Sequence, residues 1–544
     1  MKSKGNAVDA LRLPVLWGRL VSVADEAALT LVRTAFSSIL RDANDYSCML
    51  LDHKGRAIVE NTWAILNFVG CLSKTMGHIL CRYPADTWQS GDVVITNDPW
   101  ISTGHLPDFS VISPIFHRGK LIGFGGSVAH HLDVGGSLWS ADTTELYEEG
   151  LRVPIERLYR GGEPNETLIE LIRANVRVPD YVIGDLHAQI AANRTIEIRI
   201  KEMVEEDESL DLSAIGQSMQ LKAEESMRQA LSMLPTGTFR SNCTIDGFEE
   251  PLDLQLSIKA NGGRVELDYS GSANQQPHAI NVPMVNTYSM SCYIIKALLD
   301  PTTPRNEGSY HPITVTAPEG SILNPLFPAA VNARHLTFLH FSSLIFQALA
   351  EVLPEQVLAE SGSPFIQAIF AGYKTNGKTF VHATFDSAGM GARFGHDGLS
   401  ATPFPNNTGG APIENVEATV PLLFHEKRLV SGSGGAGEFR GGLGTQIIVE
   451  VISKQPTALS LMGDRIVYPA RGICGGSKGL NAKVLCNGKP ISAKGRFTLQ
   501  SGDKLTIRNA GGGGYGCPSQ RDRKKIEWDL LNEYITEKDE SQYN

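Results

Sequence analysis

Between residues 365 and 517 short strands and glycine turns dominate the pattern. Short apolar runs alternate there with glycine-rich segments such as "SGGAGEFRGGLG" and "AGGGGYG". Each glycine inside a helix costs about 1 kcal/mol relative to alanine, so this third must fold as short strands and turns. The glycines read chiefly as turns, with close backbone approach as the other reason for their presence. The rest of the chain follows other periods. Leu20, Ala24, Ala28, Val32, Phe36 and Ile39 recur at helical spacing and predict an amphipathic helix over 16–40. Further helices are expected at 164–207, 216–233, 283–300 and 337–353. One more is expected in the charged tail, followed by a frayed end. "DYSCMLLDHKGRAIVEN" and "FSVISPIFHRGKLIGFGGSVAHH" read as hairpins, and "GDVVITNDP" as a strand ending in a turn. The expected fold class is α+β and multi-lobed, with mixed or antiparallel sheets, packed helices and a β-rich, glycine-rich C-terminal region. A chain of 544 residues exceeds one simple core. The expected lobes are 1–215, carrying a candidate metal site, then 216–425, then 426–520, with a helix and tail over 521–544.

Net charge is −10 and the pI about 5.8. A nucleic-acid partner would call for a basic face, so none is expected. No apolar run reaches the roughly 18 residues of a membrane span, and the N-terminus lacks the apolar core of a signal peptide. The eight cysteines are scattered, with no CxxC pair. A reduced, cytoplasmic protein without a membrane partner is the simplest reading.

Two motifs that match familiar chemistry fail on context. "GYKTNGKT", Gly372 to Thr379, fits the letters of a phosphate-binding loop, but such a loop must open a helix. Its second flank, "FVHATFD", alternates like a strand, and Asn376-Gly377 predicts a type I′ hairpin turn. A serine hydrolase is also disfavoured, since "GSGGAG" at 432–437 is no strand-to-helix elbow.

One constellation survives. "NDPWISTGHLPDFS" carries Asp98, His105 and Asp108, and "AHHLDVGG" carries His130, His131 and Asp133. Pro107 excludes a helix interior, so His105 and Asp108 sit in a shaped loop. Antiparallel pairing of the hairpin brings His130 to the same end. Asp45, at the mouth of the first strand, is in position to close the set. Two imidazoles and two carboxylates suit a divalent ion such as zinc, manganese or iron. His131, Asp133 and Asp98 are candidates to orient ligands or water. Loop histidines and aspartates are also common surface hydrogen-bonders, and spacing alone leaves both readings open. His187, His278, His335, His340, His382, His396 and His425 lack clustered carboxylates and read mainly as structural.

Stretches along nearly the whole chain resemble the hydantoinase B/oxoprolinase family: "DYSCMLLDHKG", "NDPWISTGHLPD", "AHHLDVGG", "EEGLRVPIERLYRGG", "NVRVPDYVIGDLHAQIAA", "PEGSILNPLFPAAV", "MGARFGHDG" and "SGGAGEFRGGLG". The resemblance covers about residues 12 to 535. It implies a metal, zinc first and manganese or iron next, held by Asp45, His105, Asp108 and His130. It also implies a partner A-type ATPase subunit that binds ATP and phosphorylates the carbonyl oxygen of a small cyclic amide. A metal-bound water would then open the ring, with His131 or Asp133 holding that water or moving its proton. Ketone carboxylases share the subunit, so a ketone substrate with bicarbonate is the alternative, and a scaffold with a structural metal a second. One departure is Thr103, which stands where many relatives have the first of two glycines before the histidine. Arg177 with Asp185 reads as a salt bridge or catalytic pair, and Arg393 with Asp397 as part of a loop over the substrate.

Overall fold

The first lobe is built on a seven-stranded antiparallel sheet. Its strands are β1 (Tyr46–Asp52), β2 (Ala57–Glu60), β3 (Val93–Thr96), β4 (Asp108–His117), β5 (Lys120–His130), β6 (Glu156–Arg160) and β7 (Glu163–Pro164), in the order β2-β1-β5-β4-β3-β6-β7. The computed structural model describes residues 12–65, 68 and 70–543. β1 is buried throughout, so its two faces serve two cores. Tyr46, Cys48 and Leu50 pack under α1 (Leu13–Thr34) and residues of later helices, whereas Met49 and Leu51 face α3 (Cys71–Arg82), beyond the short α2 (Ser38–Arg41). The alternation is the period of a strand. The helices expected over 164–207 and 216–233 are α4 (Glu166–Asn175), α5 (Pro179–Glu206) and α6 (Leu212–Leu231). The β4–β5 hairpin turns at Arg118 and Gly119, both at positive φ (49° and 77°), as a two-residue I′ turn requires.

The middle of the chain forms a four-stranded sheet, β11-β10-β9-β8, from β8 (Gly237–Ile245), β9 (Leu252–Ala260), β10 (Val265–Asp268) and β11 (Ile313–Thr316). Against it lie α7 (Met284–Leu299), the single turn α8 (His335–Phe338) and α9 (Phe341–Leu349). The remaining strands are β12 (Gln367–Tyr373), β13 (Thr379–Ala383), β14 (Leu422–Leu429), β15 (Thr445–Val451), β16 (Thr457–Met462), β17 (Lys483–Cys486), β18 (Lys489–Pro490), β19 (Lys494–Leu499) and β20 (Lys504–Arg508). They make two sheets, β13-β12-β16-β19 and β14-β15-β20-β17-β18. The lobes interleave where the sequence suggested consecutive blocks. α6 runs through residue 215, and the sheet containing β12 takes strands from both sides of residue 425. β12 pairs with β13 on one edge and with β16 on the other.

The glycine-rich third is indeed β-rich, but its glycines answer close approach more than turning. A Cβ on Gly442 would meet the Leu399 carbonyl oxygen at 2.0 Å, and one on Gly512 the Met390 carbonyl oxygen at 2.1 Å. The Gly512 amide donates to Gly442 (3.0 Å) and the Gly442 amide to Met390 (2.8 Å). Backbones lie against one another with no room for side chains. The tail is packed to Tyr543, contrary to the expected fraying. Ile526, Ile535 and Tyr543 close on Ala436, and the buried Arg521 bridges Asp397 and Asp529, each at 2.7 Å. Asp397 is thereby committed to the tail, not to a substrate cover. All eight cysteines are free. Among the described residues no helix is long and apolar enough to cross a membrane.

Candidate metal centre

Three of the four proposed ligands are set by strand register. Asp108 opens β4 and pairs directly with His130, the last residue of β5. On the other side of β5, Tyr46 pairs with Ala129, and the His130 amide donates to the Asp45 carbonyl oxygen at 3.1 Å. Asp45, His130 and Asp108 therefore stand on one rung across adjacent stretches of chain, where directly opposed side chains share a face. His105 arrives from the loop before β4. Asp98 shapes that loop by accepting the Trp100 amide (3.1 Å), which commits it to its own turn. Gly104 makes the final bend at φ +89°, a conformation strained for other residues.

The side chains converge. His105 Nε2 lies 2.8 Å and His130 Nδ1 3.0 Å from Asp108 Oδ1. One ligand atom from each of these three residues falls within 4.8 Å of the others, and Asp45 lines the same cavity. All four are buried. The second Asp108 oxygen is occupied elsewhere: Oδ2 accepts from Thr103 Oγ1 (2.7 Å) and from Arg334 (2.8 Å). Thr103, the departure noted in the sequence, thus bonds a ligand directly. Arg334 is itself fixed by the Thr103 carbonyl (2.9 Å) and Asn286 Oδ1 (2.5 Å).

Electrostatics sort the protonation states. Burial, then Arg334, pushes His105 down to about 4, so its ring is neutral near pH 7. Burial opposes charge on Asp108, but His105, Arg334 and the bond from His130 outweigh it and hold the carboxyl well below its usual range. Burial pushes Asp45 up to about 6, helped by Asp108 and opposed by His130 and Arg334.

These residues fit a cation. His105 Nδ1–H donates to the Asn332 carbonyl oxygen (3.1 Å), which leaves a lone pair on Nε2. That atom is sealed from solvent and makes no hydrogen bond, although Asp108 Oδ1 is 2.8 Å away. The approach has ion-pair distance without hydrogen-bond direction. A lone pair and a carboxylate oxygen this close repel unless a positive centre lies between them. A carbonyl behind the distal nitrogen is also the usual support of a metal-binding histidine.

Two predicted participants do not reach the cluster. His131 follows His130 in extended chain, so its ring points to the opposite face. There its Nε2 meets Gln189 Oε1 at 2.9 Å and its ring packs on Phe109. Asp133 pairs with Arg177 at 2.7 Å. Neither lines the cavity. Arg177 is thus not paired with Asp185, which instead accepts the Phe36 and Ser37 amides (2.7 and 3.2 Å). The sequence reading missed Asn332, Arg334 and His335. The quoted stretch "PEGSILNPLFPAAV" stops at Val331, just before them. Glu149 was missed as well. Its Oε1 accepts the Val331 and Asn332 amides (2.7 and 2.9 Å), which positions the carbonyl behind His105.

A family model for hydantoinase B/oxoprolinase matches residues 9–518. The chain belongs to the hydantoinase B/oxoprolinase family. A provisionally named B-type subunit of a D-/L-hydantoinase from Pseudomonas sp. (strain NS671) is 30% identical over 558 residues, covering 97% of this chain and 93% of its own. The crystal structure of the ATP-dependent caprolactamase from Pseudomonas jessenii superposes with a TM-score of 0.92 at 27% identity, covering 99% and 96% of the two chains. The nucleotide-free structure of acetone carboxylase, from work on ATP-dependent acetone carboxylation, gives 0.88 at 19% identity, covering 98% and 79%. At that identity the likeness is one of fold. In this family member the phosphate-loop look-alike joins β12 to β13 as a hairpin. The turn is not type I′: Gly377 alone takes positive φ (79°) and its amide donates to the Lys374 carbonyl oxygen at 2.9 Å. That is a three-residue loop with a glycine bulge.

Proposed function

We propose that this family member is the B-type subunit of an ATP-dependent cyclic amidohydrolase. It opens a hydantoin, 5-oxoproline or lactam ring after an A-type ATPase partner has phosphorylated the carbonyl oxygen. One observation carries the reading: Asp45, His105, Asp108 and His130 line one buried cavity, with a lone pair on His105 facing a carboxylate oxygen. Relatives of nearly the same length support it, one named for a hydantoinase and one an ATP-dependent caprolactamase. The four residues would hold a divalent ion, and two imidazoles with two carboxylates favour zinc, then manganese or iron. Such an ion supplies Lewis acidity, polarising an oxygen and bringing the pKa of water from about 15.7 to near 7.

The chain's own residues prepare this chemistry. Arg334 and Thr103 hold Asp108 Oδ2, so Oδ1 is turned toward the two imidazoles. Trp139, Phe338 and Phe385 line the cavity beside the four polar residues, and such apolar walls strengthen electrostatics where they displace water. A phosphorylated amide is a better electrophile than the free amide. Water oxygen bonds to its carbon, and the ring C–N bond breaks with the electron pair going to nitrogen. Both water protons end on that nitrogen. A second water hydrolyses the acyl phosphate left behind, giving the carboxylate and inorganic phosphate.

The test is co-purification with the A-type partner, elemental analysis, and ATP turnover against hydantoins, 5-oxoproline, lactams and aryl ketones, with and without bicarbonate. The reading expects about one metal per chain and bicarbonate-independent ring opening. A product that gains a carboxyl carbon would establish the carboxylase instead. ATP hydrolysis by this chain alone would contradict the division of labour.

A further inference from the structure

The cavity has a second polar wall. His335, the first residue of α8, and Gln367, the first of β12, line it together with Asp45, His105, Asp108 and His130. His335 is 9% exposed, and both its ring nitrogens are sealed from solvent without a hydrogen-bond partner. Gln367 is 2% exposed, and its Oε1 is in the same state. Buried polar atoms left unpaired cost about 1–3 kcal/mol each, so three around one cavity mark a place for a ligand. The space open to the centre of a water is about 30 Å³, and one water needs roughly 10–15 Å³ of such space. The space is large enough for a water. In so small a space, groups on either wall face the same occupants.

We infer that His335 and Gln367 hold the water that attacks the substrate carbon, beside the cation seat formed by Asp45, His105, Asp108 and His130. The inference rests on the functional reading above and makes it more specific. A neutral imidazole has one accepting nitrogen, and the Gln367 Oε1 accepts as well. A water donating to both keeps a lone pair for the electrophile. The second imidazole nitrogen is a donor, available to an oxygen of the substrate. A site built to orient water favours hydrolysable cyclic amides over ketones.

The experiment uses the metal-loaded complex of the full chain with its A-type partner, with 5-oxoproline, hydantoin and caprolactam as probes. His335→Phe and Gln367→Leu should each lower kcat for ring opening about 100-fold. KM and metal content should stay unchanged, and more ATP should be consumed per ring opened. Melting temperature should hold, because no protein group pairs with the atoms each change removes. Gln367→Glu, which keeps an acceptor, should recover much of the rate. A high-resolution crystal structure of the metal-loaded chain should show a water within about 3.2 Å of both His335 and Gln367. Unchanged kcat in the variants, with an active wild type, overturns the inference alone. So does loss of rate together with metal and melting temperature, or a His335 nitrogen found bonded to the ion. A wild-type complex inert toward every cyclic amide overturns the functional reading, and the water assignment with it.

Discussion

The two carboxylates of the centre should respond in opposite ways to losing their charge. Asp45 is 8% exposed, and burial is the main cause that raises its pKa from 3.8 to about 6. At roughly 1.4 kcal/mol per pKa unit, ionised Asp45 costs the metal-free fold about 3 kcal/mol. The sign follows from proton linkage. The folded pKa lies above the unfolded one, so the metal-free protein loses stability as pH rises from 3.8 through 6 and stays lower above that. Asp45→Asn should therefore stabilise metal-free protein by up to about 3 kcal/mol near pH 8 and by almost nothing near pH 4. Asp108 has Arg334 at 2.8 Å, and both are at most 2% exposed. Asp108→Asn leaves that guanidinium unpaired and should cost about 3–5 kcal/mol.

Urea unfolding of chelator-dialysed protein, repeated with zinc or manganese, reads both effects. Wild type should gain stability with metal, by about 4 kcal/mol at a thousandfold excess over Kd. Both variants should lose most of that gain, and only Asp108→Asn should be weakened before metal is added. An Asp45→Asn protein destabilised by more than about 1 kcal/mol without metal would refute the reasoning. It would mean that the Asp45 carboxylate is already satisfied by protein groups and is not waiting for a cation.

Other consequences follow from single positions. Gly104→Ala places a Cβ 1.8 Å from Asn286 Oδ1 and 2.9 Å from Arg334 Cδ, at φ +89°; it should cost about 2–4 kcal/mol and lower metal content by elemental analysis. His131→Asn should leave metal content unchanged while costing about 1 kcal/mol in urea unfolding, because the His131 partner is Gln189. Burial alone pushes His382 from 6.5 to about 4. The unfolded chain then binds the extra proton, so stability falls as pH drops through this window. His382→Phe should remove up to about 3 kcal/mol of that acid sensitivity, read as the difference in unfolding free energy between pH 7 and 4. Lys378→Ala, in the hairpin that resembles a phosphate loop, should leave ATP turnover of the complex unchanged.

Much of the centre was legible because its geometry is a matter of register. The β4–β5 hairpin, read from its apolar alternation, brings Asp108 to the same end as His130, with Asp45 one strand further on; the two-residue turn alone would set Asp108 against Ala129, and a β-bulge between Ile115 and Phe116 shifts the register by one so that it faces His130. The same logic, applied one residue later, would have removed His131 from the candidates, since adjacent residues in extended chain point apart. The lobe boundaries were less legible. Nothing in the alternation of β12 announces that it pairs with β16, about ninety residues on. In the glycine-rich third, a string of glycines looks the same whether it turns or lies flat against another backbone. The distinction depends on neighbours that are distant in sequence, such as Met390 beside Gly512.

Arg334 and His335 were illegible for a related reason. They lie more than 200 residues beyond His130, in a turn with no apolar period and no carboxylate nearby in sequence. Their roles follow from what the sheet leaves unfinished. A strand rung can place three candidate ligands on one face, but it supplies neither a counter-charge for Asp108 nor the rest of the cavity wall. Both must come from another element. The chain provides them from one turn: Arg334 reaches back to Asp108, and His335 faces the remaining space. Adjacent residues thus divide two tasks, one holding a ligand and the other left unpaired. If that division is right, Arg334→Met should lose metal and stability together. His335→Phe should lose neither, and its defect should appear in turnover alone.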